Sequence, residues 1–280
     1  MSNPYAITGP AIVSFSGGRT SAFMLRMILD AHAGRLPPDV RAVFANTGKE
    51  REETLRFVHE CATRWDVPVT WLEWRDTATG FEVVGMNSAS RAGEPFAALI
   101  AKRGFLPNAV TRFCTSHLKI RPIAKFARSL GFERWASVIG LRYDEGWRVL
   151  KALDRDAAGK ERWTTSMPMA KAKHTKADVM AFWARQPFGL ALRSYEGNCD
   201  LCFLKARAKL MTIMREQPAS ADWWVRMEES VSRTAGSGAR FVTETSYAEL
   251  RDCVDRQGHL PFDDDEHDAE CGLVCAEEAS

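Results

Sequence analysis

A chain of 280 residues with 45% hydrophobic content is long enough to bury a full α/β core and a small appended helical region. No run approaches the roughly 18 consecutive apolar residues of a membrane span, and the N-terminal residues lack a basic stretch followed by an apolar signal core, so a cytoplasmic protein with no membrane partner is expected. Net charge is only +2, but eight acidic residues and no Lys or Arg lie from Asp263 onward, which leaves +10 on residues 1–262 and a basic body suited to a nucleotide or a nucleic-acid backbone.

In chain order, Ala11 to Phe15 reads as a buried strand and Ser21 to His32 as a helix with Ala22, Phe23, Met24, Leu25, Ile28 and Leu29 on its apolar face. Between them, Ser16-Gly17-Gly18-Arg19-Thr20-Ser21 sets adjacent glycines among hydroxyl residues. The backbone there can turn sharply and aim several N–H groups at an anion held on the positive end of the helix. The spacing of a Walker loop is absent. Strands at Ala42 to Ala45, Val69 to Glu73 and Ala136 to Gly140, with a helix at Glu52 to Arg64, continue a βαβ order. That order predicts an α/β fold with a parallel twisted sheet, flanking helices and ligands at the carboxyl edge.

The stretch from Thr77 to Pro107 lacks periodicity and contains Gly80, Gly85, Gly93 and Pro95, which predicts a mobile excursion over the site with one short helix at Phe96 to Lys102. Past Trp163 the pattern turns helical. Thr175-x-x-Asp178 and Ser246-x-x-Glu249 are helix-start signals, and Phe203 to Arg215 and Asp222 to Ser232 read as helices. The expected division is a nucleotide-binding α/β domain over 1–160, a helical region over 161–262 and an acidic tail over 263–280. Basic clusters lie at Arg112, Lys119 and Arg121, at Lys171 and Lys173, and at Lys205, Arg207 and Lys209.

Seven cysteines in a cytosolic chain argue for metal or redox chemistry rather than a disulfide framework. Cys199-Asp200-Leu201-Cys202 follows Gly197-Asn198 and reads as a Cys-x-x-Cys at a helix start, where the positive helix end favours thiolates. Alone it is a zinc half-site or a dithiol. Cys61 lies inside a helix with Phe57 and Trp65 at neighbouring turns and reads as a core thiol, and Cys253 sits similarly within a helix.

The glycine segment resembles the Ser-Gly-Gly-x-x-Ser signature of the PP-loop ATP pyrophosphatases. Asn46-Thr47-Gly48 with Glu53, Thr54 and Phe57, and Gly140-Leu141-Arg142-Tyr143-Asp144-Glu145 with Arg148, are similar to segments of that superfamily's PAPS (phosphoadenosine phosphosulfate) reductase-like branch. The resemblance covers about residues 11 to 150 and implies an adenine nucleotide α-hydrolase-like fold. It also implies a nucleotide held by Ser16 to Ser21, Asn46 to Gly48, Glu53, Gly140, Arg142, Glu145 and Arg148. Arg112-Phe113-Cys114 with Lys119 and Pro122 resembles the cysteine segment of iron-sulfur sulfonucleotide reductases and of DNA phosphorothioation ATPases, which implies a 4Fe-4S cluster on Cys114, Cys199 and Cys202. Cys114-Thr115 stands where the reductases have tandem cysteines, so the fourth ligand is Cys275, Cys271 or an open iron site. Glu270-Cys271-Gly272-Leu273 looks like the terminus that carries the reductases' nucleophilic cysteine, although Val274-Cys275 stands where they have His.

The resemblance implies two chemistries. In one, the loop binds ATP, an acceptor oxygen on a nucleic acid or small molecule is adenylated with release of pyrophosphate, and sulfur displaces AMP. Mg²⁺ offsets charge there, with Arg142, Asp144 and Glu145 beside the nucleotide or metal, and a sulfur donor is required. In the other, PAPS or APS (adenylyl sulfate) occupies the cradle, Cys271 attacks its sulfur, and a thiol reductant protein releases sulfite. The retained Ser-Gly-Gly-x-x-Ser and Asp144-Glu145 favour the first, although Arg19 and Thr20 replace the Lys-Asp of related loops. A nucleotide-binding regulator without turnover is a third reading, and a homodimer is compatible with each.

Overall fold

A computed structural model describes residues 3–232 and 239–256. Strand β1 (Ala11–Ser14) is buried along its whole length because it lies at the centre of a six-stranded sheet, paired in parallel with β2 (Val40–Asn46) on one side and β5 (Trp135–Val138) on the other. A strand covered on both faces must be apolar throughout, which Ala-Ile-Val provides. Helix α1 (Arg19–Ala31) joins β1 to β2, and α2 (Glu52–Arg64) joins β2 to β3 (Val69–Trp74), both as parallel crossovers. Strand β4 (Phe81–Val84) then runs antiparallel on β3 at the sheet edge. The order is β4-β3-β2-β1-β5-β6, where β6 (Trp163–Ser166) pairs in parallel with β5.

Alternation of side chains divides the core. Ala11 and Val13 of β1 point into a cluster with the apolar faces of α1 and α2, and Ile12 points the other way, onto Ile123, Phe126 and Ala127. Those residues belong to α5 (Arg121–Ser129), which follows α3 (Glu94–Arg103), the short α4 (Phe113–Thr115) and a π-helical turn at Ser116–Ile120. After β5 come α6 (Gly146–Ala157), then β6, α7 (Pro168–Lys171) and α8 (Lys176–Trp183), whose Trp183 closes the α1/α2 side. Helices α9 (Arg207–Glu216), α10 (Asp222–Ser232) and α11 (Tyr247–Arg256) form a separate aromatic cluster with α3, centred on Trp224, Phe241 and Tyr247.

Four sequence expectations change. The sheet is mixed rather than wholly parallel, because Phe81–Val84 is an edge strand too short and too exposed to show a hydrophobic period. The sheet also continues beyond residue 160, since Trp163–Ser166 supplies its sixth strand. The Thr77 to Pro107 stretch is not a loose excursion over the site: the Ser90 amide and hydroxyl both donate to the buried Glu73 carboxylate, at 2.6 Å each, and fix it to β3. Finally, α9 begins at Arg207 rather than Phe203, so the Cys-x-x-Cys lies in a turn and gains nothing from a helix end.

Candidate functional site

The glycine loop leaves the carboxyl end of β1 and enters α1 directly. Gly17 has φ +80°, and a Cβ there would stand 2.5 Å from Thr54 Cγ2 and 3.2 Å from both Phe44 and Val58, so only glycine fits between the loop and α2. Ser21 Oγ accepts the Ser16 amide at 3.1 Å and lies 2.9 Å from Ser16 Oγ, which closes the loop on itself. No side chain caps the start of α1 and its first turn holds no acidic residue, so its N–H groups and positive dipole end are available to an anion.

The residues expected around this loop divide by what they touch. Arg142 is 7% exposed and donates through Nη1 to Thr20 Oγ1 at 3.2 Å, which sets a guanidinium at the loop. Gly140 lets the end of β5 approach α1, since a Cβ there would be 3.3 Å from Ser21 Cα. Asp144 and Glu145 are already engaged: Asp144 accepts from Arg142 Nε at 3.0 Å and the Lys176 amide at 3.1 Å, while Glu145 accepts from the Arg142 amide and pairs with Arg148. Burial alone would raise the Asp144 carboxyl, yet the Lys176 amide and Arg142 hold it below its usual value. Each of these carboxylates thus accepts hydrogen bonds from the Arg142 segment and its neighbours. Arg19 also differs from expectation: its guanidinium donates to the carbonyls of Leu190, at 2.5 Å, and Leu192, at 3.0 Å, so only its backbone belongs to the loop.

At the end of β2, Asn46 donates to Glu73 at 2.6 Å and accepts the Gly48 amide at 3.1 Å, and the Thr47 amide and hydroxyl donate to Glu50 at 2.7 and 2.8 Å. The Asn-Thr-Gly segment is thus a rigid turn that presents Lys49, Glu50 and Arg51 inward, all three buried. Glu53, partly exposed, lines an open cavity of about 500 Å³ with Glu52, Asp200 and Gln217, beside the turn rather than over the glycine loop.

Against that turn sits the thiol loop. Glu50 and Cys199 form an antiparallel bridge, the Arg51 amide donates to Asn198 O at 2.8 Å, and the Asp200 amide donates to Lys49 O at 3.0 Å. Ion pairs cross the same seam: Lys49 Nζ to Asp200 at 2.7 Å, Arg51 to Glu196 at 3.2 Å and Lys119, from the π-helical turn, to Glu50 at 3.4 Å. Cys199 and Cys202 adjoin through a thiol hydrogen bond, which with burial pushes the Cys199 thiol well up. Cys114, just before the π-helical turn, packs on the same aromatic cluster as Cys199, but among the described residues no three metal-capable side chains converge. Cys271 and Cys275 lie outside the described residues.

Of the third basic cluster, Lys205 and Lys209 are buried, each 6% exposed. Lys205 Nζ donates to Cys199 O at 2.5 Å, burial lowers its pKa, and no carboxylate pairs with it among the described residues. Arg51 Nε and Nη2 are likewise buried without hydrogen-bond partners. A buried ammonium, Lys205, that no carboxylate pairs with among the described residues suits an anionic, thiolate-ligated group beside the two thiols, so the donor set fits soft-metal ligation. Glu73 and Asn198 are site residues the sequence alone did not name as binding groups. The last had one signal, its place directly before Cys199.

Comparison with known proteins finds distant likenesses in structure and closer ones in sequence. A PAPS reductase from Candida auris, solved with phosphate, is 13% identical with a TM-score of 0.40, covering 65% of this chain and 79% of its own. The U34-tRNA thiolase NcsA from Methanococcus maripaludis, solved with its 4Fe-4S cluster, is 10% identical with a TM-score of 0.39, covering 90% and 82%. Likeness at that level transfers no ligand and no reaction. In sequence, an uncharacterised nin region protein of Escherichia phage lambda is 31% identical over 208 residues, 71% of this chain and 67% of its own length. An uncharacterised protein of Methanocaldococcus jannaschii is 24% identical over 241 residues, and this chain spans 44% of its length. The phosphoadenosine phosphosulfate reductase domain matches residues 10–152, which hold the glycine loop, the Asn-Thr-Gly turn and the Arg142 segment. With those three segments assembled at one sheet edge, the chain belongs to the phosphoadenosine phosphosulfate reductase domain family.

Proposed function

We propose that this protein binds ATP in its glycine loop and adenylates an acceptor oxygen with release of pyrophosphate, after which sulfide-level sulfur from a sulfur donor bonds to the acceptor as the bond to that oxygen breaks and AMP leaves. The observation that carries the reading is the intact, uncapped loop: Gly17 and Gly18 feed the open N-terminus of α1, and Arg142 is held on Thr20. Backbone N–H groups and that guanidinium favour phosphate oxygens and stabilise charge that grows on the leaving pyrophosphate. Arg142 is the catalytic candidate, and Asp144 and Glu145 are positioning residues that hold it. Because their oxygens are engaged, no step is assigned to Mg²⁺ on these carboxylates.

Cys199 and Cys202, with Cys114 as third ligand and Cys275 or Cys271 as a fourth from the tail, would hold a 4Fe-4S cluster. Such a cluster supplies soft sulfur chemistry when bound. The acceptor is a nucleic acid or a small nucleophile, drawn by the basic body of the chain.

The family itself favours a second reading, reduction of PAPS or APS. There the Cys271 thiolate forms a bond to the sulfur of the sulfonucleotide, the sulfur–oxygen bond to the nucleotide phosphate breaks, and two electrons from a thiol reductant release sulfite. One paired assay separates the readings. Protein purified without oxygen is given ATP with candidate acceptors, or PAPS and APS with a dithiol. Pyrophosphate from ATP supports sulfur transfer, sulfite from PAPS or APS replaces it with the reductase, and neither product across the panel overturns both in favour of a regulator.

A further inference from the structure

The thiol loop and the glycine loop share one side chain. Asn198, 8% exposed, directly precedes Cys199; its Nδ2 donates to Ser16 O at 3.0 Å, and its own carbonyl accepts the Arg51 amide at 2.8 Å. The Ser16 carbonyl and the Gly17 N–H belong to one planar peptide unit, so a donor fixed on that oxygen also fixes the direction of that N–H. The point matters at Gly17 more than elsewhere, because glycine, here at φ +80°, has no Cβ to restrict the adjoining peptide plane. Next along the chain, Cys199 bridges to Glu50 and the Asp200 amide is tied to Lys49 O, so residues 198–200 are held on one side by the Asn-Thr-Gly turn.

We propose that Asn198 is a positioning residue that couples the state of the Cys199–Cys202 pair to the order of the phosphate cradle. A metal ion closed on both thiolates removes freedom from residues 199–202 and from the adjoining Asn198. The amide then holds the Ser16–Gly17 peptide in its cradle orientation before any anion arrives. An anion that enters the ordered loop meets a smaller entropy cost, and by linkage the anion tightens the metal by the same factor. The consequence for nucleotide affinity rests on the ATP reading above; the coupling between the two loops does not.

The test uses the full chain and Cd²⁺, whose binding to thiolates is followed by its ultraviolet charge-transfer absorbance. Hydrogen exchange of the amides of residues 15–22 is measured with and without the metal. The expected result is a slowing of about fivefold or more, the lower end of ordinary coupling between sites, on Cd²⁺ loading of the unaltered protein. That slowing should vanish in Asn198→Ala and in the near-isosteric Asn198→Asp, whose carboxylate cannot donate to Ser16 O, although both still bind Cd²⁺. It should vanish as well in Cys199→Ser/Cys202→Ser. A merely structural Asn198 would change exchange equally in both metal states and leave the ratio intact. Equal slowing in the Asn198 variants, or none in the unaltered protein with its thiols loaded, overturns the coupling. In a separate arm ATP should bind about fivefold more tightly to the loaded protein. Absence of ATP binding in both metal states breaks the nucleotide reading, while the exchange ratio still decides the role of Asn198.

Discussion

The glycine loop and the thiol loop lie side by side, yet they prepare for a negative guest by opposite means. The glycine loop uses backbone: a left-handed glycine, an uncapped helix start and N–H groups with no counter-charge to displace. The thiol loop uses buried side chains, with Lys49, Arg51 and Lys119 neutralised by carboxylates and Lys205 left facing a carbonyl beside the thiols. Backbone donors keep their charge distribution at every pH and need only the right dihedral angles. Buried ammonium groups carry a desolvation cost until an anion offsets it. The first loop is therefore fragile to changes of shape, the second to changes of charge.

The largest effect should come from shape. Gly17→Ala combines a left-handed backbone with a Cβ at 2.5 Å from Thr54 and should cost about 2–5 kcal/mol in denaturant unfolding together with the phosphate site. Gly9→Ala is the control: its φ of +77° is similar but nothing lies within 4 Å, so about 1–2 kcal/mol is expected. Equal losses at the two positions would show that packing on α2 contributes nothing.

Arg142→Lys should follow. The ammonium cannot hold Thr20 and Asp144 together, and loss of one charged hydrogen bond of about 1.5–3 kcal/mol predicts ATP affinity lower by roughly 10- to 100-fold in calorimetry. An unchanged affinity would remove Arg142 from the site.

Charge at the thiol loop is tested by Lys205→Met. Without metal the variant should be as stable as the parent or more so, because a buried cation has been exchanged for an apolar chain of similar volume. Its Cd²⁺ affinity should fall by about tenfold, the scale of outer-shell partners at metal sites. A fall in metal-free stability with no change in metal affinity would make Lys205 a structural residue.

The smallest effect is a pH dependence. The Asp144 carboxyl titrates below its usual 3.8 in the fold, so it binds fewer protons folded than unfolded and stabilises the ionised state. The stability difference between the parent and Asp144→Asn should be full above about pH 5 and fade as pH falls through the lowered native value. A difference that persists at low pH would mean that packing, not charge, holds Asp144 against Arg142.

Much of the site was legible because its chemistry is local. A phosphate cradle needs glycine at a left-handed turn and hydroxyls at the helix entry, and these stand consecutively from Ser16 to Ser21. Strand β1 was legible for a similar reason, since full burial on both faces demands an unbroken apolar run. Strand β4 was not, because at a sheet edge Glu82 and Val83 both face solvent and no alternation survives. The Cys-x-x-Cys was plain, but its helix start was misplaced by several residues because Cys199 to Lys205 is held by tertiary bonds rather than by a local cap.

By itself the sequence determined what residues dictate within a few positions: the buried central strands, the helical faces, the glycine turn and the placing of cysteines near cations in a basic body. Only the tertiary structure decided which charges are interior. Lys205 and Lys209 share their spacing with exposed Arg207, and nothing along the chain distinguishes them until the fold buries Lys205 on the thiol loop and Lys209 within α9. It also decided that Asn198 meets Ser16 across 182 positions, and that Arg142 reaches Thr20 across 122. Such contacts depend on how the sheet orders its strands and where the helical lobe docks, and a hydrogen bond between distant residues leaves no periodic signal in either partner's neighbourhood.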